Sequence, residues 1–65
     1  MNIIEATRKA LDEEKCIINT QYPDVKMQPN LSIPFDIMRQ DGSNRVRCWN
    51  PTGEDFLSDD WEICD

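Results

Sequence analysis

Three arginines, Arg39, Arg45 and Arg47, stand around one predicted turn in a 65-residue chain whose net charge is −6. Guanidinium groups grip phosphate and carboxylate through paired N–H donors. A local basic spot on an acidic protein reads a small anionic ligand while the surrounding charge repels long polyanions. The same balance argues against general nucleic-acid binding, which depends on neutralising phosphates with Lys and Arg. A second group lies downstream, where Asn50-Pro51-Thr52-Gly53-Glu54-Asp55 sets a capping threonine three residues before an acid. Such a start presents short polar groups and backbone N–H donors, a natural seat for a phosphate or sugar oxygen. The plainer readings are a solvated arginine face that pairs with the acidic tail, and a simple strand stop and helix cap. Both stay open from the residues.

Hydrolytic chemistry is poorly provided for. Phosphodiester cleavage usually wants a histidine base or a carboxylate-held metal, and histidine is absent. Asp59-Asp60 offers two carboxylates for Mg²⁺, yet neighbours in a strand point to opposite faces. Cys16, Cys48 and Cys64 are odd in number and far apart, with no Cys-x-x-Cys pair. They predict neither a disulfide framework nor a zinc site, and read as small apolar residues in a reducing cytosol. No cofactor and no metal are expected. No apolar run approaches the roughly 20 residues of a membrane span, and no signal peptide opens the chain. The expected location is the cytoplasm.

The elements that position these groups follow from periodicity. Asn2 with Glu5 is a helix start signal, and Ile3, Ala6 and Ala10 recur at helical spacing, predicting a helix over residues 3–13. Three acids, Asp12 to Glu14, crowd its C-terminal end, where the helix dipole disfavours them. Cys16-Ile17-Ile18 predicts a short strand. Residues 19–32 lose periodicity and read as loop, with a brief strand at Val25 and Met27. Residues 33–39 read as a strand with Phe35 and Ile37 on one face, and Asp41-Gly42 as a hairpin turn. The partner strand is 45–49, with Val46 and Cys48 as its buried face. Asn50-Pro51 stops that ladder, Thr52 caps a short helical turn, and Trp61 and Ile63 share the inner face of a last strand. Trp61 is assigned to the core. The class is α+β: one domain over 1–65, an N-terminal helix packed on a small antiparallel sheet, with a helical turn before the last strand. So small a chain has little core of its own, which makes self-association a natural support.

The stretch Trp49-Asn50-Pro51-Thr52-x-x-Asp55-Phe56-Leu57-Ser58-x-Asp60-Trp61-Glu62-Ile63 resembles the C-terminal signature of the second Thoeris anti-defence family of phages. Two further segments agree with that family, Asn2-x-x-Glu5-Ala6 with Lys15-x-Ile17, and Ile33-Pro34-Phe35-x-x-Met38-Arg39 with Asp41-Gly42. Together they cover about two-thirds of the chain. The family usually has glycine where Glu14 stands, and Arg then Gly-Trp where this chain has Asn19 and Gln21-Tyr22. The loop 23–32 is shorter than usual.

The resemblance implies a homo-oligomer, dimer or tetramer, with ligand pockets at subunit contacts. It implies binding of cyclic nucleotide immune messengers, glyco-cyclic ADP-ribose or cyclic dinucleotides, held without cleavage in the infected cell. For such a ligand Tyr22 and Trp49 are the candidate base platforms. Asn50 and Thr52 are the candidate seat for phosphate or ribose oxygen, Asp55 an acceptor for ribose hydroxyls or a base amine, and Arg39 and Arg47 the phosphate contacts. Two other classes remain beside it: a small hydrolase of the same messengers, and a protein-binding module that inhibits a host protein. The module is motivated by residues 52–65, which hold six acids and no base.

Overall fold

The computed structural model describes residues 1–64. The first helix, α1 (Ile3–Glu13), starts where its capping signal places it. The Asn2 side chain accepts the Glu5 N–H at 2.8 Å, and the Glu5 carboxylate accepts the Asn2 N–H at 3.5 Å. Ile3, Ala6 and Ala10 are buried, and the two alanines let the helix sit close on its support. The helix ends at Glu14, whose backbone is left-handed (φ 56°, ψ 47°). That conformation costs an L-residue with a Cβ roughly 1–2 kcal/mol, which glycine avoids.

Four strands follow: β1 (Cys16–Asn19), β2 (Val25–Gln28), β3 (Asp36–Arg39) and β4 (Trp61–Cys64). They form one antiparallel sheet in the order β3-β2-β1-β4. The register sets Ile63, Ile17, Met27 and Ile37 in one cross-strand row. These side chains meet Ile3, Ala6, Ala10 and Trp61 in the core, with Val25, Phe35 and Trp49 packed on its rim. A five-residue helix, α2 (Gly53–Leu57), precedes β4. The α+β arrangement and the buried place of Trp61 are as the periodicity predicts.

Three expectations are corrected. The strand expected over 33–39 begins only at Asp36, because Pro34 offers no N–H to a ladder. The expected partner strand at 45–49 shrinks to a single bridge, Val46 to Ile37, with a further hydrogen bond from the Trp49 N–H to the Phe35 carbonyl. Its buried face is also reversed: Val46 and Cys48 are exposed, and Trp49 turns inward. The large indole has more apolar surface to remove from water than Val46 or Cys48, so it sets the phase. Finally, the loop expected from residue 19 onward starts later, since Asn19 is the last residue of β1 and fully buried.

Candidate binding site

The site is built where α2 begins. Asn50-Pro51 leaves the chain extended, and Thr52 at φ −92°, ψ 173° turns it into α2. The Thr52 hydroxyl oxygen accepts the Asp55 N–H at 3.4 Å, while Asp55 Oδ2 accepts the Thr52 N–H at 2.7 Å and the Thr52 hydroxyl at 3.2 Å. Asp55 is only 9% exposed, and its second oxygen accepts a short hydrogen bond from the Tyr22 hydroxyl. Its carbonyl accepts the Trp61 indole N–H at 2.9 Å. One residue thus ties together α2, the turn after β1, and the core tryptophan.

Tyr22 is held from both sides. Its ring meets Trp61 edge-on, with centroids 6.2 Å apart, and its backbone N–H donates to the Asn19 carbonyl at 3.1 Å. Buried Asn19 donates to the Ser58 hydroxyl at 3.1 Å and accepts the Gln21 N–H at 3.0 Å. The Gln21 side chain donates to Asp60, and the Thr20 N–H to the Asp60 carbonyl. The turn 19–22 is therefore stitched to the segment 58–60. More than a third of Tyr22 nevertheless remains exposed.

Electrostatics fix the protonation states. Burial raises the Tyr22 phenol well above its ordinary value, and the hydrogen bond and charge of Asp55 add to the rise. Burial also pushes the Asp55 carboxyl upward, but hydrogen bonds from Tyr22 and from the Thr52 backbone and side chain outweigh it and hold it low. Near neutral pH the pair is a protonated donor beside an ionised acceptor. Such a junction exchanges hydrogen bonds with hydroxyl or amine groups and offers an aromatic surface beside them.

Of the seven residues singled out, Tyr22, Thr52 and Asp55 come together. Trp49 is half-buried, stacked on Phe35 at 6.0 Å and edge-on to Trp61 at 5.9 Å, so packing engages much of its ring. Asn50, Arg39 and Arg47 are exposed. Arg39 ends β3 opposite Val25, and its neighbour Gln40 donates to the Asp24 and Pro23 carbonyls, so Arg39 stands at the end of the sheet where the Tyr22 turn lies. The third arginine, Arg45, is engaged elsewhere: its Nε donates to the buried Asp36 carboxylate at 2.7 Å. Asp36 and Arg45 flank the predicted hairpin turn, and that spacing is the signal that could have revealed their pairing. The acidic tail is not the arginine's partner.

A separate surface takes in Phe56 of α2. Ile3, Ile4, Thr7, the segment 30–35, Trp49, Pro51 and Phe56 line an open groove of about 570 Å³. Ile4, Leu31, Ile33 and Phe56 are each more than half exposed. None of the lining residues carries a charge. Among the described residues, no group of three His, Cys, Asp or Glu side chains is placed to hold a metal, and no helix is long and apolar enough to cross a membrane.

A family model described as Tad2-like, Thoeris anti-defense 2-like domain, matches residues 1–64. No curated protein and no solved structure matches the chain.

Proposed function

The chain belongs to the Thoeris anti-defense 2-like family and so has an anti-defence role; we propose that it fills this role by sequestering a cyclic nucleotide messenger without cleaving it. The observation that carries this reading is the junction of Tyr22, Thr52 and Asp55. The exposed part of the Tyr22 ring stacks on a base, a contact worth about 1–3 kcal/mol in single-strand readers. The Asp55 carboxylate accepts from a ribose hydroxyl or a base amine. Asn50 and Thr52, at the mouth of α2, face a phosphate or sugar oxygen. Arg39 stands opposite Val25, three residues past Tyr22, and contacts a phosphate of the same ligand.

Retention without cleavage fits the side chains present. The chain has no histidine to serve as a general base. A second copy seats in the uncharged groove. Two chains that each carry −6 repel elsewhere on their surfaces, and burial of Ile4, Ile33 and Phe56 offsets the cost of association. Phe56→Glu leaves the exposed position soluble and weakens self-association at least 30-fold, a loss of about 2 kcal/mol. Light scattering coupled to size exclusion checks it.

Calorimetry against cyclic ADP-ribose isomers and cyclic dinucleotides tests the whole reading. Wild type binds one of them, Tyr22→Ala and Asn50→Ala lose it, and the compound is recovered whole after the complex is denatured. Equal affinity in both variants removes the site. A second reading, an acidic module that inhibits a host protein, draws on exposed Glu54, Asp59, Asp60 and Glu62. A host protein captured with no nucleotide-induced thermal shift supports it instead.

A further inference from the structure

The face of the sheet turned away from α1 holds a pair of thiols that the site above does not use. In the antiparallel register of β1 and β4, Cys16 stands directly opposite Cys64. Directly opposed residues in such a pair have their Cα atoms about 4.5 or 5.5 Å apart, depending on the hydrogen-bonding class. Both distances fall inside the roughly 4.4–6.8 Å window of a disulfide. Because Ile17 and Ile63 both face the core, strand alternation turns their neighbours Cys16 and Cys64 to the same opposite side. All three cysteines are thiols in this structure.

We propose that Cys16 and Cys64 form a dithiol site that reacts with a low-molecular-weight disulfide to give an intrachain cross-link between β1 and β4. Exposure sets the order of events. Cys64 is half-buried and Cys16 buried, so the Cys64 thiolate attacks one sulfur of the reagent. A mixed disulfide forms and the first reagent thiolate leaves. The Cys16 thiolate then attacks the Cys64 sulfur, the Cys16–Cys64 bond forms, and the second reagent thiolate leaves. The two protons given up by the protein thiols end on the two released thiols. The protein is oxidised by two electrons and the reagent reduced by two.

Position excludes the third cysteine. Cys48 is exposed and follows Val46, which bridges to the outer side of β3. From that edge, β1 is three strand spacings away, about 14 Å, far beyond disulfide reach. Burial raises the Cys16 thiol, with Lys26 and Arg45 partly countering it. Cys16 therefore suits the resolving step, where its neighbour is held in place, better than attack on a reagent in solution. The consequence reaches the binding junction, because β4 carries Trp61, whose indole donates to the Asp55 carbonyl.

The test is incubation of the full chain with glutathione disulfide, followed by mass measurement and non-reducing peptide mapping. The expected product has lost two hydrogens, links the peptides of Cys16 and Cys64, and melts on the order of 10 °C higher. Cys48→Ser forms the same product, and Cys64→Ser forms no intrachain link. A link through Cys48, a disulfide dimer as the sole product, or Cys64 stopping at the mixed disulfide in the folded protein would each overturn the proposal.

Discussion

Both helices open with the same local device, and only one of the two is tied into the tertiary structure. At α1, Asn2 and Glu5 exchange hydrogen bonds in the open, one of them stretched to 3.5 Å. At α2, Thr52 and Asp55 make the same exchange with Asp55 buried, and the carboxylate also receives a phenol. The difference lies in what surrounds the acid. Water competes for Glu5 at no cost to the fold. Asp55 is shielded, so each donor removed leaves a partner that water replaces poorly. A cap shielded in this way holds tertiary structure together, whereas an exposed one supports its own helix and little else.

The largest expected effect tests that contrast directly. Asp55→Ala removes a cap and the acceptor of Tyr22 together, and should lower stability by about 2–3 kcal/mol in urea unfolding. Glu5→Ala, measured beside it, completes the comparison from the other end with a loss of a few tenths of a kcal/mol. Equal losses would mean that burial adds nothing to the second cap.

Acid titration sharpens the same point. The folded Asp55 carboxyl is held below its ordinary value, so its contribution is fully present above the unfolded carboxyl value. It is lost as pH falls through the folded one. Urea midpoints measured from neutrality down into that acidic range should fall, and the fall should be shallower in Asp55→Asn. At the other extreme, the raised Tyr22 phenol adds stability that is present below its ordinary value and lost as pH climbs through the folded one. Ultraviolet titration of the phenol should show it ionising late in the wild type and earlier in Asp55→Ala, though still above its ordinary value because burial remains.

A smaller effect concerns the far end of the exposed-cap helix. Glu14 is left-handed with an acidic side chain at the negative end of α1. Glu14→Gly relieves both strain and dipole repulsion, partly offset by glycine's greater freedom when unfolded, and should gain about 0.5–1 kcal/mol. Thermal melting should rise by a few degrees. No gain would show that the left-handed turn is already supported by its contacts, such as the Lys15 N–H donating to the Ala10 carbonyl.

Legibility followed the range of the interaction. The two caps, the inner face of α1 and the buried Trp61 were readable because each depends on residues within a few positions of one another. The alternation at 45–49 is ambiguous because it is shared between two competing apolar sets, Val46 with Cys48 and Trp49 alone. The bridge to β3 and the pull of Phe35 and Trp61 on Trp49 chose the second. The pairing of Arg45 with Asp36 is hidden in the sequence for a related reason, since an arginine among strand residues reads as solvated until its buried partner is seen.

What the sequence determined alone was therefore local: helix bounds, caps, the turn at Asp41-Gly42, and a chain poor in hydrolytic side chains. Tertiary structure decided that Tyr22 meets Asp55, 33 residues away, and that Ile4, Ile33 and Phe56 line one uncharged groove. The physical reason is that caps and turns are settled by hydrogen bonds between near neighbours, whose geometry the backbone supplies. A contact between remote residues exists only after β1 and β4 have paired and fixed where the turn 19–22 and α2 stand.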